Sequence, residues 1–260
     1  MLNNDKKVIY YKDELTDEFA GDSIKARPID EAYWYGDSSL FFKVMRLFWY
    51  RIFAFPLAVF YMKVKYHHKI VNRSLIYPYK NKSIFVYANH TNNIADALIP
   101  SLVSFPHSTY VVVNANNVSM PLLGKITPYL GALPLPDNLA ATKNFMNTIK
   151  LRVGQNSSIM IYPEAHIWPF YTKIRPFTDL SFRYPIQHEC PTFCFTNTYQ
   201  KRPFSKTPKI VTYIDGPFFP DENLGRKEKQ ADLRNKVYEK MTERSLNNNV
   251  ELIKYIKADE

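Results

Sequence analysis

Cysteine is nearly absent: the 260-residue chain holds two, Cys190 and Cys194. A C-x-x-x-C pair without a matching second pair does not make a zinc site. Both flank Pro191 in an apolar run and read as buried thiols in a reducing, cytoplasmic setting. The six histidines give no metal spacing, since His67 and His68 are adjacent and no ligand interval recurs; no bound metal or cofactor is expected. Glycine is scarce, with seven residues. No Gly-rich loop, zinc knuckle or RNA-binding aromatic signature occurs, which argues against a nucleic-acid partner. Residues 1–12 lack the apolar core of a secretory signal. The most apolar uncharged stretch, 52–62, has eleven residues and contains Pro56, short of the roughly 20 that a simple membrane span needs. Internal repeats and low-complexity segments are also missing.

What is present suits one substantial α/β domain. Hydrophobic residues make up 46% and charged residues 22%, which excludes wholesale disorder. Aromatics reach 15%, with 19 Tyr and 18 Phe, side chains that suit a boundary between apolar and wet surroundings. The net charge of +10 is uneven: residues 1–40 carry nine acidic and five basic side chains, leaving +14 on the rest. A basic body points to an anionic partner, such as an anionic lipid or a phosphorylated substrate.

Three regions follow. Residues 1–38 are polar, broken by Gly21, Pro28 and Gly36, and read as a loosely structured arm. Residues 39–66 crowd aromatics around Lys43, Arg46 and Arg51. Pro56 divides this region into a helical hairpin. An aromatic face opposite a cationic one describes helices at a membrane interface, with arginines snorkelling to headgroups; a hairpin buried on the domain is the other reading. Residues 67–260 alternate strand and helix, giving a mixed, largely parallel sheet covered by helices. Strands are expected at 84–87, 109–113, 158–162, 192–196 and 209–214. Helices are expected at 94–103, 139–153 and 227–246, the last with a docking stripe of Leu233, Val237 and Met241.

Chemistry concentrates where strands end. In Tyr87-Ala-Asn-His90-Thr-Asn-Asn-Ile-Ala-Asp96 a histidine follows a strand and opens a helix. Histidine accepts a proton near neutral pH, and a carboxylate on its far nitrogen fixes the tautomer. A polar helix start with no chemistry would look the same. In Tyr162-Pro163-Glu164-Ala-His166-Ile-Trp168 a second strand runs into polar groups, with Glu164 and His166 as candidate substrate contacts. Lys173, Arg175 and Arg183 follow, as phosphate ligands or a solvated cluster. Gly131, in Leu130-Gly-Ala-Leu-Pro134-Leu-Pro136-Asp137, permits close approach of backbone to a ligand.

Taken in order, these blocks resemble the glycerolipid acyltransferase family, typified by 1-acyl-glycerol-3-phosphate acyltransferase. Its N-H-x-x-x-x-D, glycine-bearing, P-E-G-T-R-S and proline-containing blocks match Asn89-His90…Asp96, 131–137, Pro163-Glu164-Ala165-His166 and 191–195. Pro176-Phe177 matches the P-F pair that follows the third block. The resemblance spans about residues 40–215 and implies a peripheral or monotopic enzyme on the cytoplasmic face of a membrane. His90 would deprotonate an acceptor hydroxyl, Asp96 would orient His90, and the alkoxide would attack an acyl-CoA or acyl carrier protein thioester with no acyl-enzyme. A lysophospholipid is the implied acceptor. Three departures stand out. Five residues, not four, separate His90 from Asp96; Ile167 and Trp168 replace the third block's Arg-Ser; the second block lacks its arginine. The long gap leaves open a silent lipid-binding protein on the same fold.

Overall fold

The apolar runs at 84–88 and 158–161 form two neighbouring strands at the middle of a seven-stranded sheet. The computed structural model describes residues 7–20, 24–121 and 123–258; Gly21 lies outside them. In chain order, β1 (Lys7–Tyr11) precedes α1 (Leu40–Arg46) and α2 (Phe55–Tyr66). Then come β2 (Lys69–Val71), β3 (Ile84–Ala88), α3 (Ala95–Ser104), β4 (Thr109–Val113), α4 (Leu123–Leu130) and β5 (Ala132–Pro134). The second half runs α5 (Leu139–Gly154), β6 (Ser158–Ile161), α6 (Arg183–Gln187), β7 (Thr192–Arg202), β8 (Ser205–Phe218), α7 (Arg226–Ser245) and β9 (Ile253–Lys257).

The sheet order is β2-β8-β7-β3-β6-β4-β5, with β7 and β8 antiparallel and the other pairs parallel. The mixed, largely parallel architecture read from the sequence is therefore the one observed. Side chains alternate between sheet faces. Phe85, Tyr87, Ile159 and Ile161 pack on one face with Phe145 and Ile149 of α5 and with Leu233, Val237 and Met241 of α7. Ile84, Val86, Ala88 and Met160 pack on the other with Ala58 and Met62 of α2 and Ile99 and Val103 of α3.

The described part of the arm is not loose. β1 pairs in parallel with β9, joining the two ends of the chain. Asp17 and Glu18 bond the loop at 166–168, and Ile29 exchanges hydrogen bonds with Asp137. Ile29 and Tyr35 are fully buried, so local polarity misled.

The predicted hairpin is one rod. Leu40–Tyr66 runs unbroken for 27 residues, about 40 Å at 1.5 Å per residue. A π-helical segment, Leu47–Ala54, joins α1 to α2. Pro56 falls at the start of α2, where the wide turn before it releases the bond that proline cannot donate to. By length and composition the rod could cross a membrane, with mean hydropathy 1.3 over an 18-residue window. One face, however, lies along the domain: Phe42, Arg46, Tyr50, Ala58, Met62 and Tyr66 are buried. The other shows Phe41, Val44, Leu47, Phe48, Ile52, Phe53, Leu57, Phe60 and Val64 to solvent.

The arginines point the other way from expectation. Arg46 donates to the Tyr129 carbonyl (2.9 Å) and the Thr109 carbonyl (2.7 Å), and lies over the Tyr110 ring. Arg51 donates to the carbonyls of Pro106 and His107. Both fasten the rod to the body, and burial lowers the Arg46 guanidinium's affinity for its proton.

Candidate active site

Strand β3 delivers Asn89 and His90 to the carboxyl edge of the sheet. Asn89 is pinned to the neighbouring β7 by Nδ2–H to the Asn197 carbonyl (3.0 Å) and by Asn197 N–H to its own Oδ1 (2.8 Å). His90 Nδ1 lies 2.9 Å from Asp96 Oδ2. The same carboxylate oxygen accepts the backbone N–H groups of Thr91 and Asn92, each at 2.8 Å. Its other oxygen accepts from Asn197 Nδ2 at 3.4 Å.

The extra residue between His90 and Asp96 is absorbed before the helix. Residues 93–94 form a turn, Asn92 Oδ1 caps Ala95 N–H at 3.0 Å, and α3 starts only at Ala95. Asp96 thus lies in the first helical turn, where a carboxylate is favoured by the free N–H groups. It is 2% exposed, against 16% for the His90 side chain. A carboxylate accepts only, so Nδ1 of His90 carries the hydrogen and Nε2 offers its lone pair. Among the described residues no group bonds Nε2.

Glu164 and Arg175, expected as substrate contacts, form a buried frame instead. Both side chains are 0% exposed. Glu164 Oε2 accepts His90 N–H and Oε1 accepts Arg175 N–H, each at 3.0 Å. Arg175 donates to the carbonyls of Glu14, Glu164 and His166 and stacks on Trp168. Burial pushes the Glu164 carboxyl up, opposed by Arg175 and the two N–H donors. The pair therefore sets the height of His90 in the crevice and has no face for a phosphate.

The remaining candidates scatter. His166 faces Glu18 of the arm at 3.2 Å. Lys173 lines a separate cleft of about 400 Å³ beside Tyr11, Glu14, Tyr171 and Tyr255. Arg183 opens α6 and rests on the Tyr184 ring. Gly131, with φ +96°, lies at the amino end of the strands, away from His90; a Cβ there would meet the Thr109 carbonyl at 2.4 Å. It lets the backbone after α4 pass close to the Thr109 carbonyl and the Arg46 guanidinium.

Several site residues carried no assigned role in the sequence reading. Tyr162 stacks on His90, with centroids 4.2 Å apart, and donates to the Asp96 carbonyl at 2.6 Å. Tyr199 bonds both the hydroxyl and the carbonyl of Thr91. Asn197 braces Asp96. Tyr162 follows β6 and precedes the Pro-Glu pair, and Asn197 follows the apolar run at 192–196 inside β7, so position just after an apolar run was the available signal. Among the described residues no three His, Cys, Asp or Glu side chains gather as a metal site. Cys190 is pushed up to about 11 by burial and Glu189, so it stays a thiol.

This geometry can be set beside known proteins. A sequence model of the family described as Acyltransferase matches residues 63–196, just over half of the chain. No curated protein sequence matches. Among solved structures, the crystal structure of the 1-acyl-sn-glycerophosphate (LPA) acyltransferase PlsC from Thermotoga maritima aligns with a TM-score of 0.55 at 15% identity, over 80% of this chain and 81% of that one. At that identity the likeness is one of fold.

Proposed function

Because this chain belongs to the acyltransferase family, we propose that it moves a fatty acyl group from acyl-CoA or acyl carrier protein to the hydroxyl of a lysophospholipid such as 1-acyl-glycerol-3-phosphate. The observation that carries this reading is the His90 Nδ1 to Asp96 Oδ2 contact at 2.9 Å. Nε2 takes the proton of the acceptor hydroxyl, and the alkoxide oxygen attacks the thioester carbonyl. That attack forms the C–O bond; as the tetrahedral intermediate collapses, the C–S bond breaks and the imidazolium gives its proton to the departing thiolate. Asp96 stabilises the imidazolium between these steps. The N–H groups of His90, Thr91 and Asn92 are already committed. The oxyanion donors are therefore assigned to the next groups along, Asn93 and Ile94.

The acceptor's charge is assigned to Arg27, since Arg175 is buried. Arg27 is exposed, donates its backbone N–H to Ser119 Oγ beyond β4, and is held by Tyr33. The acyl chains are assigned to the apolar face of the rod, where Phe55, Pro56, Val59, Phe60, Lys63 and Val64 border a groove of about 510 Å³. A face of that composition, with Lys43, Lys63 and Lys65 exposed beside it, supports a monotopic helix lying in the lipid surface. Free thiols at Cys190 and Cys194 suit the cytoplasmic face. The silent lipid-binding alternative rested on the long His–Asp gap, and the turn at 93–94 removes that reason.

The test is free-thiol release from palmitoyl-CoA with lysophosphatidic acid in mixed micelles. Release should require both the acceptor and His90, and Arg27→Ala should raise the KM for the acceptor. Acceptor-independent release, or full activity in His90→Ala, would sink the mechanism. No release with any thioester donor and lyso-lipid would favour the silent binder.

A further inference from the structure

The exposed rod ends against the dyad at two points. Tyr66, the last residue of α2, accepts from Asn92 Nδ2 at 3.3 Å, and Asn92 in turn donates its backbone N–H to Asp96. Beyond His67, whose φ of 45° ends the helix, His68 Nε2 lies 2.8 Å from Thr212 Oγ1. Thr212 Oγ1 is 2.6 Å from Asn197 Oδ1, and Asn197 Nδ2 is 3.4 Å from Asp96 Oδ1. A continuous chain of hydrogen bonds therefore joins His68 to the dyad.

Its polarity follows from its last member. A carboxylate only accepts. Asn197 must then turn its NH₂ to Asp96 and its oxygen to Thr212. The threonine O–H donates to that oxygen, so the threonine oxygen accepts from Nε2–H of His68. The bonds between Asn89 and Asn197 hold the middle of the chain in place. Burial, with Lys63 nearby, pushes His68 down to about 4, so it is a neutral donor near pH 7. Acyl transfer as written needs no half-buried histidine at the root of a lipid-facing helix.

We propose that His68 is a positioning residue: its Nε2–H locks the Thr212 hydroxyl, which orients Asn197 and holds the Asp96 carboxylate toward His90. The inference rests on the reading of His90 as the base. It also makes the rod a mount for the dyad, since Tyr66 and His68 leave the same helix end.

Three variants test it. His68→Phe keeps a ring and removes the donor, His68→Gln restores an N–H donor, and Thr212→Val breaks the next link without changing shape. We expect kcat to fall about tenfold in His68→Phe and Thr212→Val with KM for both substrates unchanged, and to recover in His68→Gln. The double variant should be no worse than either single one, because both break one chain. A readout independent of turnover is the low-field proton resonance of His90 Nδ1–H, identified by its loss in His90→Ala. It should persist in wild type and His68→Gln and broaden or vanish in His68→Phe. Unchanged kcat and resonance in His68→Phe, or equal damage in His68→Phe and His68→Gln, would overturn the proposal. If the wild type turns over no acyl substrate, the resonance alone decides, separating this inference from the functional reading. Should His68→Phe fail to fold, Thr212→Val carries the same test.

Discussion

The ring of Tyr162 lies flat against the imidazole of His90, 15° from parallel, while its hydroxyl donates to the backbone carbonyl of Asp96. One side chain thus fixes the plane of the base and the start of the helix that carries its partner. Burial and the Asp96 carboxylate push the phenol well up, so it remains a donor. Tyr162→Phe should keep activity within a few-fold and cost about 1 kcal/mol, the net value of one hydrogen bond. Tyr162→Ala should cost roughly 3 kcal/mol and most of the activity, by removing the wall behind His90. Thermal unfolding and thiol release on both variants check this; equal behaviour of the two would show that the ring does not support His90.

Asp96→Asn tests the dyad itself. The amide must turn its oxygen to the Thr91 and Asn92 N–H groups, which also keeps that oxygen on His90 Nδ1 and sets its NH₂ against the NH₂ of Asn197. The tautomer of His90 is then kept, but the negative charge that stabilises its imidazolium is gone and two NH₂ groups are left facing each other. We expect kcat to drop by about 10²- to 10⁴-fold, with little change in KM, because the lost carboxylate charge acts on the transition state. A drop of under threefold would mean that Asp96 only caps the helix.

Ala165 holds φ +62°, a left-handed conformation that costs a residue with a Cβ about 1 kcal/mol. It occupies the glycine position of the resembled P-E-G block and is exposed, so no packing is lost on substitution. Ala165→Gly should therefore stabilise the fold by about 0.5 kcal/mol, after the extra freedom that glycine gains in the unfolded chain. Urea denaturation reads it as a higher midpoint at constant slope. A lower midpoint would refute the strain argument.

Why part of this was legible follows from where each signal lives. Strand periods and the apolar stripe on α7 are local, and they placed the sheet and its cover. His90 and Asp96 were legible because both flank one turn. The fate of Glu164 and Arg175 was not, since burial of a charge pair depends on Trp168, Glu14 and His90 closing over it from three parts of the chain. Arg46 and Arg51 share one side of the rod, as their spacing implies, but spacing cannot say whether that side meets lipid headgroups or backbone carbonyls. The pairing of β1 with β9 joins opposite ends of the sequence and leaves no periodic trace.

The exposed face of the rod gives a further expectation. Phe48 is 47% exposed and Phe60 is 66% exposed. Phe48→Glu and Phe60→Glu should leave stability within about 0.5 kcal/mol, as for most surface changes. Each removes an aromatic worth about 1.5–3 kcal/mol on burial, so binding to anionic vesicles should weaken by about tenfold or more. Co-sedimentation measures this; unchanged binding by the double variant would place the lipid contact elsewhere.

The last expectation concerns pH and stability. His68 is held down to about 4 by burial and Lys63, whereas in the unfolded chain it titrates near 6.5. Between those values the unfolded form binds a proton that the folded form refuses. Stability from this group is therefore complete above about pH 7 and is lost as pH falls from about 6.5 to 4, by roughly 3 kcal/mol in total. Glu164 works in the opposite sense, because burial raises its carboxyl, so the wild-type curve alone mixes the two. His68→Gln isolates the histidine. It cannot charge, so its stability relative to wild type should improve steadily from pH 7 to pH 4.5 in urea titrations. A difference that stays flat across that range would mean that His68 charges as readily in the folded protein as in the unfolded chain.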